Sequence, residues 1–440
     1  ASCLVGSEMC IRDRYICEEL MDKINSKDIN TFLKEIEISP NDEKYPKNRK
    51  RMFEELILEG IIDEETLSSF FYRGIMCGEH RLIRVYKLSE RCCNLLRNRS
   101  SWDDFMHHYD VSELQYNLIL TPLKYKSETA KLVYMKSFKS RLKSRLARID
   151  MIYAFKILKS NKETRAVEEL NSYLPVTIDL INHELIIKVC NQSGLLESSR
   201  PKKQLDAVFD ELKADLKIEL NKNKVRPETV LYDMSRELFN NFYRQLPNIK
   251  ELDEKRNKLC RVVDLLLQDI KLNHSQKEAD GMIHIDPNLI DLEDELYKLL
   301  QQTVLLDYLE TGDLESLLPD DTIYISKIRF SDQDNLEASL TGENGKDCIY
   351  DKRTFMGIRN SLDIVKRIVS MRVIFPQKKG NLTVKYDGTD DKFIGVHILD
   401  SRHYNQDELN EAWELYRVYE RQRINKDMLA KSKGLKSSAI

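Results

Sequence analysis

The chain has 440 residues, well past the roughly 250 at which a single hydrophobic core stops growing, so about two to four domains are expected. Hydrophobic residues at 41% and charged residues at 32% exclude a disordered polymer and a membrane-embedded bundle. With 70 Lys and Arg against 73 Asp and Glu, the net charge of −3 attracts no polyanion, and any nucleic-acid contact needs a local basic patch. No apolar run approaches the ~20 residues of a membrane-spanning helix; residues 262–267 are broken by Asp264 and stop at Gln268. Nine cysteines form no spaced framework and include the adjacent Cys92 and Cys93, a pattern of reduced thiols that predicts a cytoplasmic location.

Residues 4–14 read as the translated frame of a transposon-type sequencing adapter, so residues 1–14 are set apart from the functional argument. Over 15–90 the apolar spacing predicts six short helices. Ile16, Leu20 and Ile24 form one stripe, and Asn25 caps a second helix with Asp28 in its first turn and Ile29, Phe32, Leu33 and Ile36 on its inner face. Pro40 and Pro46 break the chain; Met52, Phe53, Leu56 and Ile57 mark a helix ending at Gly60. Asp63 caps the next, carrying Leu67, Phe70 and Phe71; Gly78 stops it, and Leu82, Val85 and Tyr86 lie on a sixth.

Residues 91–200 are expected to be helical, with a basic amphipathic helix over 136–162. Phe138, Leu142, Leu146, Ile149 and Tyr153 line one face, and Lys139, Arg141, Lys143, Arg145 and Arg148 lie around it. Residues 193–201 read as the most linker-like stretch, and 202–318 as a helical domain with helices at 205–220, 228–246, 252–272 and 289–309. The pattern changes near Asp321. Residues 322–330, 381–386 and 393–399 carry the β-branched and aromatic composition of strands, 355–369 and 408–423 have helical spacing, and the polar tail after Lys426 reads as disordered. The expected fold class is therefore mainly α: an N-terminal six-helix bundle over 15–90, a helical middle region, and a small C-terminal α/β (α+β) domain over 320–425.

Residues 15–90 resemble a death effector domain of the death-fold superfamily. The resemblance is carried by Asn25-Ser-Lys-Asp-Ile-Asn-Thr-Phe-Leu33, by Met52-Phe-Glu-Glu-Leu-Ile-Leu-Glu-Gly-Ile-Ile62, by Asp63-Glu-Glu-Thr-Leu67 and by Gly78-Glu-His-Arg-Leu-Ile83. It implies homotypic docking of one bundle on another, with other death-fold proteins as partners and homo-oligomers as products. Phe32 stands at the family's apolar patch and Asp28 at its helix 2 acid, while Glu79 and Arg81 hold the helix 6 charges in exchanged order. The role implied is an adaptor or regulator of cell-death or innate-immune signalling.

A nucleotide-binding or nucleic-acid-sensing protein is the competing expectation. Residues 355–400 faintly resemble the ATP-binding fold of histidine kinases and MutL-like ATPases, with Asn360 where a magnesium ligand stands and Asp400 where an adenine-binding acid stands. Met356 occupies the place of the catalytic acid, and no glycine follows Asp400. The basic residues of 139–148 supply the nucleic-acid version of this reading. His397, Asp400 and His403 do not converge on a metal from a strand running into a loop, and His107-His108 reads as a surface pair. No nucleophile elbow, P-loop, dinucleotide fingerprint or caspase Gln-Ala-Cys-x-Gly run occurs, and Cys190 and Cys260 lie on helical patterns, so neither catalysis nor a cofactor or metal is expected.

Overall fold

A computed structural model describes residues 16, 18–21, 23–78, 82–111, 113–120, 130–140, 145–160, 166–190, 194–221, 225–267, 275–277, 283–285, 292–311, 320–331, 337–350, 353–377, 380–400 and 404–437. The adapter-like residues 1–14 lie outside them.

Local chemistry sets the first elements. After α1 (Glu18–Met21), the Asn25 side chain accepts from the Lys27 amide and starts α2 (Ser26–Glu35). Asn48 does the same for α3 (Arg49–Leu58), which Gly60 ends at φ 70°, and Asp63 starts α4 (Glu64–Cys77). The chain then runs extended as β1 (Leu82–Lys87) before α5 (Glu90–Leu96, capped by Ser89) and α6 (Asp103–His108). Strands follow: β2 (Gln115–Asn117), β3 (Lys131–Lys139), β4 (Leu146–Ser160), β5 (Val167–Asp179) and β6 (Glu184–Val189). Pro201 then opens α7 (Pro201–Asp215), its fixed φ suiting a first helical residue.

The second half gives α8 (Pro227–Tyr243), α9 (Pro247–Glu254), α10 (Arg256–Leu267), a hairpin of β7 (Ser275–Lys277) and β8 (Ile283–Ile285), and α11 (Leu292–Thr311). Next come β9 (Tyr324–Ser331), β10 (Glu337–Thr341), α12 (Arg353–Val365), β11 (Ser370–Phe375), β12 (Leu382–Asp387), β13 (Phe393–Ile398) and α13 (Gln406–Ser437).

Two compact units emerge, Ala1–Pro227 with Lys385–Leu415, and Glu228–Val384 with Tyr416–Ile440. Strands of the first unit pair in the order β13-β1-β6-β5-β4-β3-β2, and those of the second in the order β10-β9-β11. In the first unit the sheet is covered on both faces. Ile149, Met151, Tyr153, Phe155 and Ile157 of β4 point, at period two, into a core with Cys92 and Leu96 of α5, Trp102, Phe105 and Leu205, Val208 and Leu212 of α7. Ile152 and Ala154 point the other way, into a core with Phe32, Phe53, Leu56, Phe70 and Phe71 of α2, α3 and α4. In the second unit, Phe239 and Phe242 of α8 pack edge-on against Tyr350, with Phe355 tilted against Phe239 and Tyr350.

This architecture overturns the mainly α fold class. The expected sixth helix is β1, paired antiparallel with β13 on one side and β6 on the other. The expected basic helix over 136–162 is the β3–β4 hairpin, and the rest of the region to residue 200 that was expected to be helical contains β5 and β6, with Cys190 just past β6. The reason is common to all of them: a strand buried on both faces has no polar side to reveal its period, so Leu146, Ile149 and Tyr153 fit a helical stripe as well as a strand. The expected helix over 252–272 begins earlier, at Pro247, and breaks at Lys255. Past Lys426 the chain is helical to Ser437 rather than disordered, in keeping with its Lys, Leu and Ala content.

Phe32 lies inside the α2–α4 core, 4% exposed and stacked on Phe70 at a centroid distance of 4.3 Å, so it offers no docking patch. Replacing Phe32 with Asp puts a charge among aromatic rings and is expected to destabilise the protein by at least about 3 kcal/mol. Asp28→Ala, at an exposed first-turn position, is expected to cost under about 1 kcal/mol. Urea denaturation of the two variants measures the contrast, and equal midpoints would place Phe32 at the surface.

Candidate functional site

Polar side chains at helical spacing converge within the second unit. On α11, Asp294, Tyr297, Lys298 and Gln301 recur at intervals of three and four and so share one face. Arg236 and Asn240 of α8 and Arg359 and Asp363 of α12 are each spaced by one turn, and Asp253, Arg256 and Arg244 complete the wall of a cavity of about 100 Å³. Five cationic side chains face three carboxylates there, an excess of two positive charges.

The carboxylates are already engaged. Lys298, 6% exposed, lies 2.6 Å from Asp363, 2.9 Å from Asp294 and 3.0 Å from Glu295. Burial alone pushes the Lys298 ammonium down, but the hydrogen bonds to Asp363, Asp294 and Glu295 outweigh burial and leave it well above the usual lysine range. Asp363 also accepts from the Tyr232 hydroxyl at 2.8 Å, and Asp253 accepts from the Tyr297 hydroxyl. Arg256 lies 3.1 Å from Glu293 and over the Tyr297 ring at 4.7 Å.

Two guanidiniums differ from these. Arg359 donates to Gln301 Oε1 at 2.8 Å and lies over the Phe239 ring at 4.4 Å, yet pairs with no carboxylate among the described residues. Burial lowers its pKa, opposed by the Tyr243, Asp363 and Asp294 charges, while the nearby Arg236 lowers it further. Arg236 likewise has no ion pair among the described residues. Beside Arg359, the Oδ1 of Asn360 is buried without a hydrogen-bond partner. A helical moment cannot expose such a pocket, because its residues come from separate helices. The legible trace was a polar stripe running through the leucines of α11.

The residues expected from sequence fall elsewhere. Asp28 is exposed on α2, while Glu79 and Arg81 lie outside the described residues, as do Arg141, Lys143 and His403. Lys139, Arg145 and Arg148 lie at one end of the β3–β4 hairpin rather than around a helix. Arg148 is engaged there with Asp150 at 3.1 Å and with the Phe138 ring at 4.2 Å. Asn360 belongs to the second unit and Asp400 to the first. Asp150, in turn, takes hydrogen bonds from Tyr72 and from Thr177 at 2.9 Å, a network that satisfies a buried carboxylate. Lys188, buried and with its pKa pushed down by that burial, donates to the Met76 carbonyl at 2.7 Å.

For cations, one group among the described residues has the required spacing: His108 with Glu211 and Asp215, in the first unit. Six cysteines among the described residues form no disulfide, and burial pushes the Cys93 thiol up to about 12, which leaves it unreactive. No helix among the described residues is long and apolar enough to cross a membrane. Compared with protein-family profiles and with curated proteins, the chain matches none.

His397 of β13 gives a pH-dependent test of the first unit. Burial, then the Lys385 cation, push its pKa from 6.5 down to about 4, with Asp387 opposing and Arg84 reinforcing. Above pH 6.5 the ring is neutral in both folded and unfolded chains. Between pH 6.5 and 4 only the unfolded chain takes up the proton, so stability falls with pH, by at most about 3 kcal/mol. His397→Gln is expected to flatten the denaturation free energy over that window; an unchanged slope would show that this ring titrates normally.

Proposed function

We propose that this chain is a binding protein whose second unit takes up a small anion of the phosphate class, with Arg359 and Arg236 as its cationic ligands. The observation that carries this is the half-buried Arg359, held flat by Phe239 and Gln301 but lacking a carboxylate among the described residues. A guanidinium kept out of water retains unused donors in a planar fork, the geometry that matches two oxygens of a phosphoryl or carboxylate group. Lys298 pairs with Asp294 and Asp363 and screens them, and the five cations lining the pocket outnumber its three carboxylates. A cavity near 100 Å³ is smaller than the roughly 300–1,000 Å³ that enclose a whole drug-sized molecule. It accommodates one phosphoryl group, and the rest of a larger phosphoester would remain outside. This narrows the nucleotide-binding expectation to its charged end and assigns no hydrolysis.

Recruitment of a protein partner is a second reading, continuing the adaptor role that the death-effector resemblance implied. Its support is an exposed apolar pair at the end of α3, Leu58 at 66% and Ile61 at 40% exposure. Light scattering on the purified chain decides whether that surface self-associates; a monomer throughout a concentration series removes self-assembly.

Thermal unfolding in phosphate, pyrophosphate and ATP, against chloride at matched ionic strength, tests the first reading. A ligand at 100 times its Kd stabilises by about 2.7 kcal/mol, which for a unit of this size is a rise of several degrees. Arg359→Gln is expected to abolish the rise and Arg359→Lys to weaken it. A rise of equal size in Arg359→Gln, or none with any of the three anions, would remove the pocket from the account.

A further inference from the structure

The ends of two first-unit helices bring a histidine and two carboxylates together. His108 is the last residue of α6, and Glu211 and Asp215 stand one turn apart on α7, hence on one face. Nδ1 of His108 lies 3.4 Å from Oδ1 of Asp215, and one ligand atom from each of the three residues lies within 4.8 Å of the others. Their neighbours hold them. The Tyr109 ring stacks on the His108 imidazole with centroids 4.7 Å apart, and the Tyr109 hydroxyl donates to Oε1 of Glu211. Beneath them, Tyr109 meets the fully buried Tyr153 of β4 edge-on.

A separate observation concerns the second oxygen of Asp215. Oδ2 is buried and accepts no hydrogen bond, a state that costs free energy in a folded protein unless something positive lies against it. Oε2 of Glu211 is also without a hydrogen-bond donor among the described residues. Beside the His108 imidazole, the group therefore offers two carboxylate oxygens that no described residue satisfies.

The geometry points to a divalent transition-metal site formed by His108, Glu211 and Asp215, with its remaining positions open to water. One nitrogen with two oxygens suits zinc, manganese or iron(II). Calcium and magnesium favour all-oxygen shells of six or more ligands. Metal–ligand bonds of about 2.0–2.2 Å draw the three donors closer than they stand, and His108, the most exposed of them, has room to turn inward. Occupied, the site fastens α6 to α7 across the core that covers β4.

The test uses the full chain, stripped with chelator and titrated with Zn²⁺, Mn²⁺ and Mg²⁺ by calorimetry, with Co²⁺ absorption as the ligand-type readout. Expected are one tight Zn²⁺ equivalent, Mg²⁺ weaker by at least 100-fold, and a Co²⁺ spectrum free of thiolate charge-transfer bands. His108→Ala and Asp215→Asn are each expected to weaken Zn²⁺ by at least 10-fold while the chain keeps its circular dichroism. Since His108 is exposed, its replacement keeps the test informative if Asp215→Asn lowers stability. Zn²⁺ affinity unchanged in both variants, a thiolate spectrum, or Mg²⁺ bound as tightly as Zn²⁺ would overturn the assignment.

Discussion

The pairing of β4 with β5 is the constraint on which the first unit rests. Thirteen residue pairs, from Arg148 with Asp179 to Ser160 with Val167, form an antiparallel ladder whose two faces are both covered by helices. Burial on both sides forces each buried side chain along β4 to be apolar or fully satisfied. Asp150 meets that requirement through Tyr72, Thr177 and Arg148. The α2–α4 helices thus do not form a free-standing bundle. Their aromatic faces need Ile152, Ala154 and Tyr173 of the sheet as a floor.

That dependence explains what could be read from the sequence. Helix starts at Asn25 and Asp63, and the stop at Gly60, were legible because a cap is a local hydrogen bond or a local φ. Strands β9, β12 and β13 were legible from their β-branched and aromatic runs. The strands between β1 and β6 were not, since covering both faces erases the alternation that separates a strand from a helix. Phe32 was visible as an apolar position, but whether it faces a partner or Phe70 depends on tertiary contacts that no spacing contains.

The candidate site was less legible still. Asn360 drew notice as a magnesium ligand by resemblance, whereas its neighbour Arg359 is the residue whose surroundings are unusual. Five helices contribute to that pocket, and the sequence separation between Arg236 and Asp363 hides their meeting. Within the pocket the division of labour is electrostatic. Lys298 binds acids from two helices and stiffens the wall, leaving Arg359 and Arg236 as cations that pair with no carboxylate among the described residues. Metal-type donors occupy the first unit instead, where the exposed His108 meets Glu211 and Asp215 from about a hundred residues further along the chain, a meeting that no local spacing contains.

Amide hydrogen exchange, followed peptide by peptide, tests the doubly covered sheet most directly. Residues 149–157 of β4 and 82–87 of β1 should exchange slowest in the first unit, at the rate of its global unfolding. Rapid exchange across 82–87, or protection of 149–157 no greater than that of an exposed helix, would contradict the sheet and restore the helical bundle in its place.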